Sequence, residues 1–272
     1  MKRTIYHYSR PFKGGVREGL LLHYKSENRR EGWGEVAPLP GFSQESLSEA
    51  LSALISGDHT RFPSTAWGVA AALLDLKSPL DIPSIPVRTL HEDKIKIGHL
   101  SLEKALALFK EKKGSGVDMN RQWSLDEALS FAKAFPHLDY FEEPLKEGIG
   151  AEHFHYPVAL DESLREKTLP PYPNIKMYVI KPTLLGYPLP SIRKGVDFIL
   201  SSSYESELGI YQIAKLAYRL KLPLLPMGLG TCHLFEDSLF EEEPMIKNGH
   251  LHFPQKWKLK KDKVQVAHDE CI

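Results

Sequence analysis

KIKIG at 94–98, GVDMN at 116–120, DYFEE at 139–143, PVALDE at 157–162, MYVIK at 177–181 and DFILSS at 197–202 are short apolar runs, each closing on or beside a polar residue. Runs of this length, separated by helical or looped stretches, read as buried strands of a parallel sheet. Working outward, PVRTL at 86–90 and PLLPM at 223–227 have the same character, so eight strands are expected, the number that closes a (β/α) barrel. LEKALALFKEKK at 102–113, SLDEALSFAKAF at 124–135 and SELGIYQIAKLAYRL at 206–220 are amphipathic, and two of them open with serine and an acidic residue near the third helical position. The alternation gives an α/β class. Only His91, Glu92 and Asp93 separate the first two strands, and GYPLPSIRKG at 186–195 is brief, so the barrel is expected to be modified, with trimmed helices.

The strand ends carry the chemistry. Lys96, Asp118, Glu142, Asp161, Lys181 and Ser201 follow one another at separations of 22, 24, 19, 20 and 20 residues, each one strand, connection and return. The C-terminal ends of barrel strands converge on one face, so this register gathers three carboxylates, two lysines and a hydroxyl. Three carboxylates brought together repel unless a cation compensates them. An all-oxygen donor set without histidine or cysteine suits Mg²⁺ first and Mn²⁺ second. Lys94 and Lys96 lie on one face of their strand. Repulsion between their ammonium groups favours a neutral, basic amine at Lys96.

The first 85 residues differ. Segments near 2–8, 18–25 and 32–37 read as an antiparallel meander, followed by a helix beginning near Ser43 and another running from Ser64 through AWGVAAALLDL. Pro79, Pro83 and Pro86 mark the boundary. An α+β domain at 1–85 and a barrel at 86–239 are expected, with the tail at 240–272 packing on the former. Lysine and arginine (35) balance aspartate and glutamate (35) in the 272 residues, which argues against nucleic-acid or membrane partners and for a small-molecule partner, a carboxylate by the resemblance described below. Two cysteines, Cys232 and Cys271, and an N-terminus without a long apolar run fit a cytoplasmic protein. The pairs in HFH at 153–155 and HLH at 250–252 lie away from the strand-end register, and KWKLKKDK at 256–263 reads as a solvated face or lysine-protected edge.

GWGEVAPLPGFSQE at 32–45, PSTAWGVAAALLDL at 63–76, KIKIG, DMNRQW at 118–123, FEEP at 141–144, ALDESL at 159–164, VIKPTLLG at 179–186 and SSSYESELG at 201–209 extend the pattern over most of the chain. With K-x-K, D-x-N, E-E-P, D-E-S and K-P-T in this order, the sequence resembles the enolase superfamily and, within it, the o-succinylbenzoate synthases of menaquinone biosynthesis. The resemblance implies that Asp118, Glu142 and Asp161 ligate Mg²⁺, with Glu142 preferred over Glu143. It implies that Lys96 is the base, Lys181 the opposing lysine and Lys94 its tuner, and that Asn120, Ser201 and Gly228 contact substrate. The implied reaction dehydrates 2-succinyl-6-hydroxy-2,4-cyclohexadiene-1-carboxylate to o-succinylbenzoate by lysine-mediated α-proton abstraction through a metal-stabilised enediolate. It also implies a capping domain at the N-terminus, with RPFKGGVREG at 10–19, including Gly14 and Gly15, as a lid, and Glu35 as a structural residue. Two alternatives stay open: racemisation of an N-succinylamino acid, and a non-catalytic carboxylate-binding barrel. PMGLGT at 226–231 lacks the D-x-D of dipeptide epimerases.

Overall fold

The structure, a computed structural model, describes all residues except 14, 90–93, 113, 192, 224 and 272. Strands β1 (Lys2–Phe12), β2 (Gly15–Lys25) and β3 (Glu31–Val36) form an antiparallel meander. Alternation along β2 sends Leu20, Leu22 and Tyr24 to one face. There they join Ile5 and Val36 in packing on Ala50 and Leu54 of α1 (Leu47–Ile55) and Val69, Ala72 and Leu76 of α2 (Pro63–Lys77). Leu21, out of phase with them, packs with Tyr8, Leu208, Leu239 and Phe240.

Helix α1 starts later than the expected Ser43. Ser46 is its N-cap, exchanging hydrogen bonds with Glu49 in a capping box, whereas the Ser43 hydroxyl accepts from the Leu39 N–H at 2.8 Å. Helix α2 opens on Pro63, whose missing N–H costs nothing at a first helical position. The GWG of β3 has a packing reason: a Cβ on Gly34 would lie 2.0 Å from the Gly68 carbonyl oxygen of α2. Strand and helix touch backbone to backbone there.

Beyond α2 come β4 (Ser84–Thr89), β5 (Lys94–Lys96), α3 (Leu102–Glu111), β6 (Gly116–Asp118), α4 (Leu125–Ala134), β7 (Tyr140–Glu142), β8 (Val158–Leu160), β9 (Ile175–Ile180), the single turn α5 (Pro182–Leu185), β10 (Asp197–Leu200), α6 (Glu207–Arg219) and β11 (Met227–Gly230). Strands β12 (Met245–Lys247), β13 (His250–His252) and β14 (Val264–Cys271) follow. Six of the expected barrel strands form one sheet, ordered β10-β9-β8-β7-β6-β5, and successive pairs from β5 to β9 are parallel. The first and last expected strands instead belong to a second sheet, β11-β4-β13-β12, with a parallel bridge from Ser201 to Gly228 at the end of β10. The eighth strand lies at 227–230 rather than 223–227, because Pro223 and Pro226 have no N–H to give a ladder. His91, Glu92 and Asp93 lie outside the described residues.

Trimming is more extensive than the sequence suggests. Helices α3, α4 and α6 appear where expected, but β7 to β8 and β8 to β9 are joined through 3-10 turns at Lys146–Gly148, Ala151–His153 and Glu162–Arg165. Pro170, Pro171 and Pro173 deny the second of these connections a longer helix.

Packing divides the chain into two compact units, one of residues 1–87, 181–190 and 200–272, the other of 88–180 and 191–199. This division cuts across the 86–239 segment assigned to the barrel. In the first unit β14 pairs antiparallel with β1. In the second, Phe109 of α3, Phe131 of α4 and Phe135 at the end of α4 form a mutual aromatic cluster joining the two helices.

Glu35 shows how the first unit is locked. Its carboxylate is 2% exposed and accepts from the Tyr8 hydroxyl (2.6 Å), the Ser206 N–H (2.9 Å), the Ser206 hydroxyl (2.5 Å) and the Gly209 N–H (2.9 Å). The last three lie at the start of α6, where negative charge is favoured by the helix dipole. Glu35→Ala strands these donors and is expected to lower unfolding free energy by roughly 3 kcal/mol. Urea titration reads this as a lower midpoint at unchanged slope; a midpoint equal to wild type would contradict it.

Candidate active site

The row expected from the strand ends begins in the pairing of the second unit. Lys96 stands opposite Asp118, and Asp118 opposite Glu142. Asp161 follows one residue after the end of β8. All three carboxylates are buried, at 1%, 1% and 7% exposure for Asp118, Glu142 and Asp161. Lys94 and Lys96 both reach them, as the shared face of a strand requires. The Lys94 ammonium donates to both Glu142 oxygens at 2.7 and 2.9 Å and lies 3.6 Å from Asp118 Oδ2. The Lys96 ammonium lies 3.3 Å from the same Asp118 oxygen.

Burial acts to lower the pKa of Lys94, but the charges of Glu142 and Asp118 outweigh it and hold the ammonium well above its usual range. Burial, reinforced by Asp118 and Asp161 and opposed by Lys94, pushes the Glu142 carboxyl up to about 8. The cluster is short of positive charge even with one ammonium inside it. Among the described residues no three acidic, histidine or cysteine side chains are drawn into a finished metal cage; Glu142 is turned onto Lys94 instead. Oxygen donors on neighbouring strand ends, buried and undercompensated, fit a hard divalent cation.

Two neighbours organise the row. Asn120 has a left-handed backbone (φ 46°), and its N–H donates to Asp118 Oδ1 at 3.0 Å, while its side-chain amide donates to Glu162 Oε1 at 3.5 Å. Glu143 is also left-handed (φ 44°) and 1% exposed. Its Oε1 accepts from the N–H groups of Asp161 (2.7 Å) and Ser163 (2.8 Å), and its Oε2 from the Ser163 hydroxyl (2.7 Å). Sequence reasoning passed over Ser163 and gave Glu143 no role beyond a second choice to Glu142. The doubled acid of E-E-P did not show this, because Glu143 lies just past β7 and its left-handed backbone, not strand alternation, sets its direction.

Lys181, Ser201 and Gly228 belong to the first unit. Lys181 directly follows β9 and is the N-cap residue of α5. Ser201 and Gly228 are brought together, the hydroxyl donating to the Gly228 carbonyl at 3.2 Å. A Cβ on Gly228 would lie 2.3 Å from Ser201 Oγ. Gly228→Ala is therefore expected to displace the hydroxyl at a cost of about 1–3 kcal/mol and to raise KM roughly tenfold; an unchanged KM would show that Ser201 does not contact substrate.

The hairpin at 10–19 is anchored rather than loose at its base. Arg10 makes a two-pronged pair with Glu207 at 2.8 and 3.0 Å and reaches Asp237 at 3.2 Å. Arg17 donates to the carbonyls of Ala37, Pro38 and Tyr204 at 2.5, 2.8 and 3.0 Å. Phe12 packs on Tyr204 and Phe235. Gly14 lies outside the described residues. Neither arginine was singled out in the sequence. His153, His155, His250 and His252 are exposed, and Trp257 of KWKLKKDK stacks on Tyr211 at 4.7 Å. No helix among the described residues is long and apolar enough to cross a membrane.

Residues 1–76 match the family described as MenC, N-terminal domain. An o-succinylbenzoate synthase of Enterobacter sp. (strain 638) is 31% identical over 88% of this chain and 94% of that protein. That of Salmonella dublin is 32% identical over 85% and 91%. Among solved structures, the o-succinylbenzoate synthase of Thermosynechococcus elongatus BP-1, complexed with Mg in the active site, superposes with a TM-score of 0.70 at 20% identity, covering 88% of this chain and 95% of that one. Muconate cycloisomerase from Pseudomonas fluorescens gives 0.70 at 16% identity, covering 97% and 95%. The structural likeness gives the fold, a modified (β/α) barrel with an N-terminal α+β capping domain. Because the identity with curated relatives runs through both compact units and nearly the full length of those proteins, the chain belongs to the o-succinylbenzoate synthase family.

Proposed function

We propose that this chain dehydrates 2-succinyl-6-hydroxy-2,4-cyclohexadiene-1-carboxylate to o-succinylbenzoate, a carbon–oxygen lyase reaction dependent on Mg²⁺. The observation that carries the reading is the row of Lys96, Asp118 and Glu142 across three parallel strands in a chain of this family. Asp118, Glu142 and Asp161 would hold the cation, with Mn²⁺ able to replace it. When bound, it supplies the Lewis acidity that stabilises negative charge developing on the substrate carboxylate.

Lys96 removes the α-proton and returns it to the departing hydroxide, releasing water. Its ion pair with Asp118 aims the amine along the carboxylate row. Lys94, paired with Glu142, holds positive charge beside that base. Lys181, carried by K-P-T after β9, supplies the opposing charge, and Asn120, Ser201 and Gly228 contact substrate. The reading includes residues 1–85 as the cap of a barrel at 86–239, the 10–19 hairpin as its cover, and a cytoplasmic location, in keeping with the free thiols of Cys232 and Cys271.

The test is turnover of the cyclohexadiene carboxylate by purified protein, followed as loss of diene absorbance with Mg²⁺ and with chelator. An N-succinylamino acid is run alongside in heavy water. Mg²⁺-dependent aromatisation is expected; its absence at every Mg²⁺ concentration sinks the reading, and α-proton exchange of both enantiomers without aromatisation would assign a racemase instead.

A further inference from the structure

Glu143 uses both carboxylate oxygens and both backbone polar groups to fasten neighbouring strand ends. Its N–H donates to the Ala159 carbonyl on β8 at 3.0 Å, and its own carbonyl accepts from Arg121 N–H, just past β6, at 2.9 Å. Its side chain accepts three hydrogen bonds from the Asp161–Ser163 turn, at 2.7, 2.8 and 2.7 Å. A non-glycine residue in the left-handed region costs of order 1 kcal/mol or more and persists where surrounding contacts over-determine it. Here the strained φ lets the two acids of E-E-P diverge: Glu142 turns to Lys94 and Glu143 to the D-E-S turn. Asp161 has an irregular backbone (φ −125°, ψ −80°) at the start of that turn and opens the 3-10 segment Glu162–Arg165. Its N–H is bonded to Glu143, so the direction of its side chain depends on where that carboxylate stands.

We propose that Glu143 is a positioning residue for the divalent cation, setting affinity by fixing Asp161 without touching the ion. The inference rests on Asp118, Glu142 and Asp161 being the ligands. Both Glu143 oxygens already serve the turn, with three of the roughly four lone-pair directions of the carboxylate accepting its hydrogen bonds. Glutamine preserves the arrangement: its carbonyl can accept both N–H groups, and its NH₂ can donate to a Ser163 hydroxyl turned to accept. Alanine removes all three bonds. Loss of partners that orient ligands typically costs 10–100-fold in metal affinity.

The experiment is a Mn²⁺ titration of the metal-stripped full chain, followed by the paramagnetic signal of free Mn²⁺ and independently by calorimetry, so that no turnover is needed. Glu143→Ala is expected to weaken binding roughly 10–100-fold. Glu143→Gln should stay within about threefold of wild type, and Ser163→Ala, which removes one of the three bonds, should fall between. Phe109→Leu, in the aromatic cluster of the same unit, is the control for stability loss alone and should leave affinity unchanged. If Glu143→Ala fails to fold, Ser163→Ala against Phe109→Leu decides the matter: equal affinities overturn the proposal. Wild-type affinity in Glu143→Ala also overturns it. Asp118→Asn separates the two readings, because failure of that change to weaken Mn²⁺ binding rejects the ligand assignment itself, whereas its success with an unaffected Glu143→Ala rejects only the positioning role.

Discussion

Lys96→Ala should lower kcat by about 10²–10⁴-fold, the range that a positioned general base contributes, while Mn²⁺ affinity stays within a few-fold of wild type. The separation follows from geometry. Among the described residues Lys96 meets the row at Asp118 Oδ2, 3.3 Å away, and its side chain is the more exposed of the two in K-x-K, 36% accessible against 19% for Lys94. It is open to substrate in a way that Lys94 is not. Lys96→Arg discriminates base from fixed charge: a guanidinium keeps the ion pair with Asp118 but does not deprotonate at working pH. It should be as inactive as the alanine variant. More than a tenth of wild-type kcat in Lys96→Arg would show that charge, not proton transfer, is what this position supplies.

The second large effect concerns Glu142, whose replacement acts on activity and stability through different partners. Glu142→Gln removes one anionic donor from the proposed ligand set, so Mg²⁺-dependent turnover should fall at least 100-fold, with little recovery at high Mg²⁺. In the metal-free protein the same change breaks the bidentate contact with the Lys94 ammonium at 2.7 and 2.9 Å. Breaking one partner of a buried pair costs about 3–5 kcal/mol; the lower end applies, since Asp118 remains 3.6 Å from that ammonium. Adding Lys94→Met to Glu142→Gln should restore most of the stability and none of the activity, a non-additivity visible in denaturant midpoints. A Glu142→Gln protein as stable and as active as wild type would remove Glu142 from both roles.

The row at the heart of the site was legible because it depends on periodicity alone. Strand, connection and return repeat at nearly constant length, so Lys96, Asp118 and Glu142 could be aligned from their spacing, and they pair across β5, β6 and β7 in that alignment. The closure of the sheet was less legible. PVRTL and PLLPM look like further strands of the set, but pairing partners are chosen by tertiary packing, and β4 and β11 joined β12 and β13, which the sequence did not mark as strands. Glu143 was hard to place because one acid beside another carries no sign of which face each will take; the left-handed backbone that parts them appears only in three dimensions. Arg10 and Arg17 were hidden for a related reason. In sequence they look like surface charges of a basic hairpin, and only the carboxylate and carbonyls far along the chain show why they are buried.

Glu35 reaches its partners across 171 residues, and this has a consequence for how the chain is made. During synthesis the meander, Tyr8 and Glu35 leave the ribosome long before Ser206 and Gly209 exist, and N-terminal units generally begin to fold first. The acid that receives the first donors of α6 is thus made in advance, and α6 gains its cap on arrival at β3. A nascent chain halted before residue 206 would carry a Glu35 carboxylate with the Tyr8 hydroxyl as donor but without the three donors of α6, so wetting and loosening of that face should persist until the late helix docks.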